Sequence, residues 1–134
     1  MADLKVFAKR IRALAVDVEK NVDDAVIATA IVANQTVVAA TPVDTGRARA
    51  NWVVGIDTPI RDTIDEEDQS GQNTNARNKA ASRRRKSGQT IYISNNLEYI
   101  GALNNGSSAQ APANFVSIAV RTAEAFLRRR RIIK

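Results

Sequence analysis

Thr41-Pro42-Val43-Asp44-Thr45-Gly46-Arg47-Ala48-Arg49-Ala50-Asn51-Trp52-Val53-Val54-Gly55-Ile56 is the stretch in which the chain changes from one kind of secondary structure to another. Helical patterning reaches Ala40 and must stop there, because Pro42 pushes the residue before it out of the α region. Asp44-Thr45-Gly46 has the composition of a turn. Asp44 is expected to accept backbone N–H bonds and Gly46 to relieve a tight backbone. From Trp52 to Ile56 aromatic and β-branched residues dominate, which predicts a strand.

Upstream, apolar residues fall at Leu4, Phe7, Ile11, Leu14, Val18, Val22, Ala25 and Val26, with Lys5, Lys9, Arg12, Asp17 and Lys20 mostly opposite. Steps of three and four make this one helical stripe. Unbroken from Asp3 to Ala40, the helix would be roughly 55 Å long, whereas a domain of this size is about 28–30 Å across. Either it breaks near Asn21, which with Asp24 could cap a second helix, or one end projects and packs on another subunit.

Downstream, Thr90-Ile91-Tyr92-Ile93-Ser94 reads as the partner strand of Trp52–Ile56. The intervening polar insertion, 57–89, has too little apolar content to fold on its own, so a hairpin excursion or mobile loop ordered by a partner is expected. Asn95-Asn96 can cap a short helix, Leu97–Leu103, that ends at Asn104-Asn105-Gly106. A last helix from Ala113 or Asn114 would place Phe115, Ile118, Ala119, Thr122 and Phe126 on one face before the basic tail, 127–134.

The composition removes much chemistry. Among 134 residues there is no cysteine and no histidine, which excludes disulfides, thiolate and imidazole metal sites, and Ser–His or Cys–His catalysis. Aromatics at 4% are too few for a base-stacking platform. Ala25–Ala40, the most apolar stretch, is interrupted by Thr29, Asn34, Gln35 and Thr36 and is shorter than the ~20 residues of a spanning helix. The start of the chain lacks the pattern of a signal peptide. No membrane partner, cofactor or metal is therefore expected. The net charge is +6, and Arg128, Arg129, Arg130, Arg131 and Lys134 supply five of the positive charges. A second basic run is Arg83-Arg84-Arg85-Lys86, and Asp62, Asp65, Glu66, Glu67 and Asp68 form an acidic block, expected to be solvated or to face a partner. Both basic runs are candidate subunit or partner interfaces, and both could touch DNA phosphates. Asp44-Thr45-Gly46 also matches the loop triplet of aspartic proteases, but it follows a helix instead of lying between apolar strands.

Thr41-Pro-Val-Asp-Thr-Gly-Arg-Ala-Arg-Ala-Asn-Trp52 resembles the signature of a family of tailed-phage neck proteins, the head–tail joining or tail-completion proteins. Ile93-Ser-Asn-Asn-Leu-Glu-Tyr-Ile-Gly-Ala-Leu-Asn-Asn-Gly106 resembles the second half of that pattern. Gln110-Ala-Pro-Ala-Asn-Phe-Val116 resembles the opening of the family's C-terminal helix. The three blocks occur in the family's order, with a variable insertion between the first two. The long charged insertion and the arginine-rich C-terminus depart from the pattern.

The resemblance implies an α+β fold with a long N-terminal helix, a small antiparallel β-sheet carrying a long charged insertion, and a C-terminal helix, all in a single domain, 1–134. It implies a structural virion part without catalytic residues. That part would form a ring, six-fold by the usual symmetry of such tails, between the connector and the tail-tube or tail-terminator proteins. It would reside in the virion neck and, during assembly, in the host cytoplasm. Pro42 would stop the first helix, Asp44, Thr45 and Gly46 would shape the turn, and Trp52 would bury a large apolar surface. Tyr99 would pack the short helix on the core, and Gly106 and Pro112 would set the entry to the last helix. The alternatives are a basic protein that binds the DNA backbone and, less favoured, an aspartic-protease-like enzyme using Asp44.

Overall fold

The computed structural model describes residues 4–105 and 114–130, with side chains from Lys9 onward. Gly106, Pro112, Arg131 and the rest of the basic tail beyond Arg130 lie outside the described residues. The architecture is α+β: a long N-terminal helix, a small antiparallel sheet and a C-terminal helix.

The N-terminal stripe forms one helix, α1 (Leu4–Ala40), with no break at Asn21. The second expectation, a projecting end, is what the structure shows: every residue from Lys9 to Asp17 is exposed. By length and composition α1 would also suffice to cross a membrane. Its second half is instead taken up by the protein, with Ala25, Ala30, Val37 and Val38 buried and α3 and α5 packed along it. At its end the Thr41 hydroxyl donates to Val37 O (2.6 Å), satisfying a last-turn carbonyl where Pro42 prevents continuation.

One helical turn, α2 (Arg47–Ala50), leads into β1 (Trp52–Ile56), which pairs antiparallel with β2 (Ile91–Asn95) in the register Trp52↔Asn95 to Ile56↔Ile91. The two strands fall within one residue of their expected positions. Two strands alone are marginal in water, and helices supply the rest of the core. Val37, Val38, Trp52, Phe115 and Ala119 form its centre, with Ile93, Ile100, Leu103 and Val116 packed around them. The C-terminal helix α5 (Phe115–Arg129) runs back along α1. Phe115 meets Val37 and Val38, and Leu127 lies beside Val26. Its buried face is Phe115, Ala119 and Ala123; Ile118 and Thr122, expected on that face, are exposed. Beyond Phe115 the core side accepts alanines at steps of four, and Ile118, Val120 and Leu127 turn outward.

The insertion 57–89 is the main departure from expectation. It is a hairpin excursion, as predicted, but it contains the helix α3 (Gln72–Ser82). That helix packs on both α1 and β1. Its buried face consists of Thr74, Asn78 and Ser82, so hydrogen bonds take the place of apolar contacts. The expected helix at 97–103 is shorter, α4 (Ile100–Asn104), with Tyr99 at its N-cap. Asn95 Oδ1 accepts from Leu97 N–H (3.2 Å), the bond expected of a cap at that point, but α4 itself begins three residues later with no side-chain cap. The Asn95 amide donates to Ala48 O (2.9 Å), and the Asn96 amide donates to Ile60 O (2.7 Å). Asn104 ties α4 to α5: its carbonyl accepts from Asn114 N–H (2.6 Å) and its side chain from Val116 N–H (3.1 Å).

Candidate functional site

The first two resembling blocks converge on one joint where α1 ends, β1 begins and the excursion returns. Trp52 is buried, and its indole N–H donates to Thr41 Oγ1 (2.9 Å), so an aromatic anchor and the helix-ending residue are locked together. Gly46 has φ +91°, and a Cβ there would lie 2.5 Å from Gln69 N. Its carbonyl accepts from both Ala50 N–H and Asp68 N–H, each at 3.0 Å. The glycine thus lets the excursion pass directly over the turn.

Arg49 was not singled out by the sequence reading, yet it holds the joint closed. Its guanidinium donates to Ala39 O (3.0 Å), Thr41 O (3.0 Å) and Gln69 O (2.8 Å). Two of those carbonyls belong to the end of α1, where the helix dipole is negative and carbonyls lack intrahelical partners. Asn51 acts similarly: its amide donates to Arg47 O and Ile64 O, and its Oδ1 accepts from Ile64 N–H (2.7 Å). The signal for both residues is their place inside the resembling block, as polar side chains beside a buried tryptophan.

Asp68 likewise departs from its reading as part of a solvated acidic block. It is buried, and its carboxylate accepts from the Thr74 hydroxyl (2.7 Å), Thr74 N–H (2.8 Å) and Gly71 N–H (3.1 Å), which starts α3. Burial by itself pushes this carboxyl up. The bonds from Thr74, Gly71 and Ser70 outweigh that penalty and hold it below the ordinary aspartate value. Further along α3, the Asn78 amide donates to Asn34 Oδ1 (2.8 Å) and Trp52 O (2.7 Å), and Arg77 also donates to Trp52 O (2.7 Å). Asn34 in turn donates to Asn75 Oδ1 (3.2 Å), so the polar face of α3 is bonded to the polar face of α1.

Asp44 is exposed. The turn's hydrogen bond, from Arg47 N–H, goes to Thr45 Oγ1 (3.2 Å) instead of to Asp44 as expected. Together with Pro42, Arg47, Tyr99 and Leu103, Asp44 borders an open cleft of about 260 Å³. Tyr99 is 41% exposed in this cleft, and Leu97, not Tyr99, is the buried residue next to α4. Among the described residues no group of three or more metal-ligating side chains occurs.

The two basic runs meet at one place. Arg85 and Leu127 line the same groove, which brings the end of α3 beside the end of α5. Arg83, Arg84, Lys86, Arg128, Arg129 and Arg130 are exposed there. Arg85 is not free for a partner as expected: its side chain is 6% exposed and pairs with Asp23 on α1 at 3.0 Å, while its Nε donates to Gln89 O. In α5, Arg128 lies 3.9 Å from Glu124 and Arg130 stands over the Phe126 ring. No family model, curated protein or solved structure matches the chain.

Proposed function

We propose that the chain is a structural part of a tailed-phage neck. In this reading it forms a ring that joins the DNA-filled head and its connector to the tail, and works by assembly without catalysis. One observation carries this reading: the first two blocks that resemble the head–tail joining family, far apart in sequence, fold into a single joint. The polar atoms of Arg49, Asn51 and Asn95 there bond to backbone carbonyls and amides, and the Trp52 indole bonds to Thr41 Oγ1. Residues so committed hold a shape; they are not left free to act on a substrate. The exposed first half of α1 supports assembly as well, since an apolar stripe left open by the described residues marks an interaction surface.

In an encoding phage, loss of the gene would leave filled heads and complete tails unjoined, and replacing Arg128–Arg131 with serine would give a folded protein that fails to join them. Normal particles in the absence of the chain would overturn the reading. The convergence of both basic runs favours contact with passing DNA as a second reading. A binding constant for duplex DNA that falls steeply with salt would support it, because phosphate contacts release counterions. A protease of the aspartic type needs a second carboxylate sharing a proton with Asp44, and Asp44 lies in an exposed turn between two helices.

A further inference from the structure

Resting on the neck reading, in which copies stand side by side, we infer that the acidic loop of one copy, Asp62 to Glu67, docks on the basic end of the next, where α3 and α5 border the groove. The loop is held in shape by its own chain. Ile60 O and Asp62 O accept from the Asn96 amide (2.7 and 3.3 Å), Ile64 exchanges two hydrogen bonds with the Asn51 side chain, and Asp68 N–H donates to Gly46 O. On this pinned backbone the carboxylates of Asp62, Asp65, Glu66 and Glu67 are exposed. Among the described residues the one ion pair to them is a surface contact of Arg77 with Glu66 at 3.8 Å. The docking surface carries the opposite excess. Arg83, Arg84, Lys86, Arg128, Arg129 and Arg130 are exposed there. The acids beside them are already engaged: Asp23 with Arg85, Glu19 with Ser87, Asp57 with Gln89 and Thr90 N–H, and Glu124 near Arg128. Like charges gathered by a fold repel one another until opposite charge covers them.

The chain does not cover its own cations with its own acids. Directly paired residues of β1 and β2 share a face of the sheet, so Val54 and Ile56 lie with Ile93 and Ile91. The groove opens on that face, since Ile91 and Ile93 wall it. Gly55 looks to the other face, where a Cβ would strike Thr58 O and lie 3.2 Å from Ile60 N. The acidic loop therefore sets out along the face opposite the groove. It ends at Asp68, which starts α3, whereas Arg83–Lys86 follow the far end of that helix, about 16 Å away. Duplex DNA would match the basic surface alone and leave the loop bare. A second copy matches both surfaces at once. Such pairs fix orientation and register more than they add affinity. The contact joins two different surfaces, so it is heterologous, and its repetition closes into a ring or extends into a filament according to the rotation between copies.

The test is a charge exchange at exposed positions. A loop variant carries Asp62→Lys, Asp65→Lys and Glu67→Lys; a docking-surface variant carries Arg84→Glu, Lys86→Glu and Arg129→Glu. By sedimentation velocity at low salt, the wild type should be oligomeric and each variant alone monomeric, because its loop and docking surface then share one sign. Mixed in equal amounts, the two variants should co-assemble, since the loop of each complements the docking surface of the other. The chain with all six changes should associate with itself again. Restored association also shows that neither variant is misfolded. Variants that associate like the wild type, or a mixture that stays monomeric, would overturn the inference. Loss of duplex DNA binding by the docking-surface variant, with association unchanged, would assign these cations to DNA and overturn it as well. Closed rings formed by each variant alone would overturn this contact and leave the neck reading standing. A mixture that grows only into open filaments would uphold the contact and count against the ring. A wild type monomeric at every concentration would overturn both.

Discussion

At the scale of single residues, the joint depends on positions whose chemistry has no substitute. Gly46 combines a positive φ with direct passage of the excursion overhead. Gly46→Ala should therefore cost at least the ~1–3 kcal/mol of a strained backbone, read as a lower urea midpoint with an unchanged slope. Asp68 makes a prediction in pH. Its folded carboxyl titrates below its ordinary value, so its stabilising contribution is complete above the unfolded value of about 3.9 and is lost as pH falls through the lower folded value. Asp68→Asn should cost about 1–3 kcal/mol near neutrality. The gap between wild type and variant should close in that acid window, as measured by urea unfolding from pH 6 down to pH 2.5. A gap independent of pH would mean that the charge of Asp68 contributes nothing.

At the scale of elements, what was legible in the sequence is what hydropathy or a breaker residue encodes. Thr41-Pro42 marks the end of α1 because proline acts locally, and β1 and β2 announce themselves by β-branched and aromatic residues. The helix α3 was not legible, because its buried face is Thr74, Asn78 and Ser82, and polar side chains carry no apolar period. Its usable signals were the spacing of four between those residues and Asp68 three positions before Gly71, a helix-start arrangement. The roles of Arg49 and Arg85 were not legible for a related reason. Arginine in sequence reads as solvated charge, and only the fold shows which guanidiniums face carbonyls or a carboxylate. If hydrogen bonds hold α3 in place, Asn78→Ala should cost about 2–3 kcal/mol, since it leaves buried Asn34 and one bond to Trp52 O unmet. Amides of Gln72–Ser82 should then exchange with solvent faster while those of α5 change little. Equal acceleration throughout would mean that α3 is not a separable unit.

At the scale of the molecule, the fold divides into a packed body and an arm. The body is the second half of α1 with the sheet, α3, α4 and α5. The arm is the first half of α1, with exposed Ile11, Leu14 and Val16 and its charges sorted by sign along the helix. The absence of cysteine and histidine suits a part that works by shape and contact. The exposed cations of this +6 chain include Lys9, Arg10 and Arg12 on the arm and those at the ends of α3 and α5, while Arg85 is already paired inside the body. Central to the account is that this chain performs its function as a closed assembly of identical copies. Native mass spectrometry of the purified protein across a range of concentrations, with electron microscopy of the same samples, tests this most directly. The account predicts a single closed ring species of fixed copy number, six by the symmetry expected of such tails. A chain that stays monomeric at every concentration would contradict it.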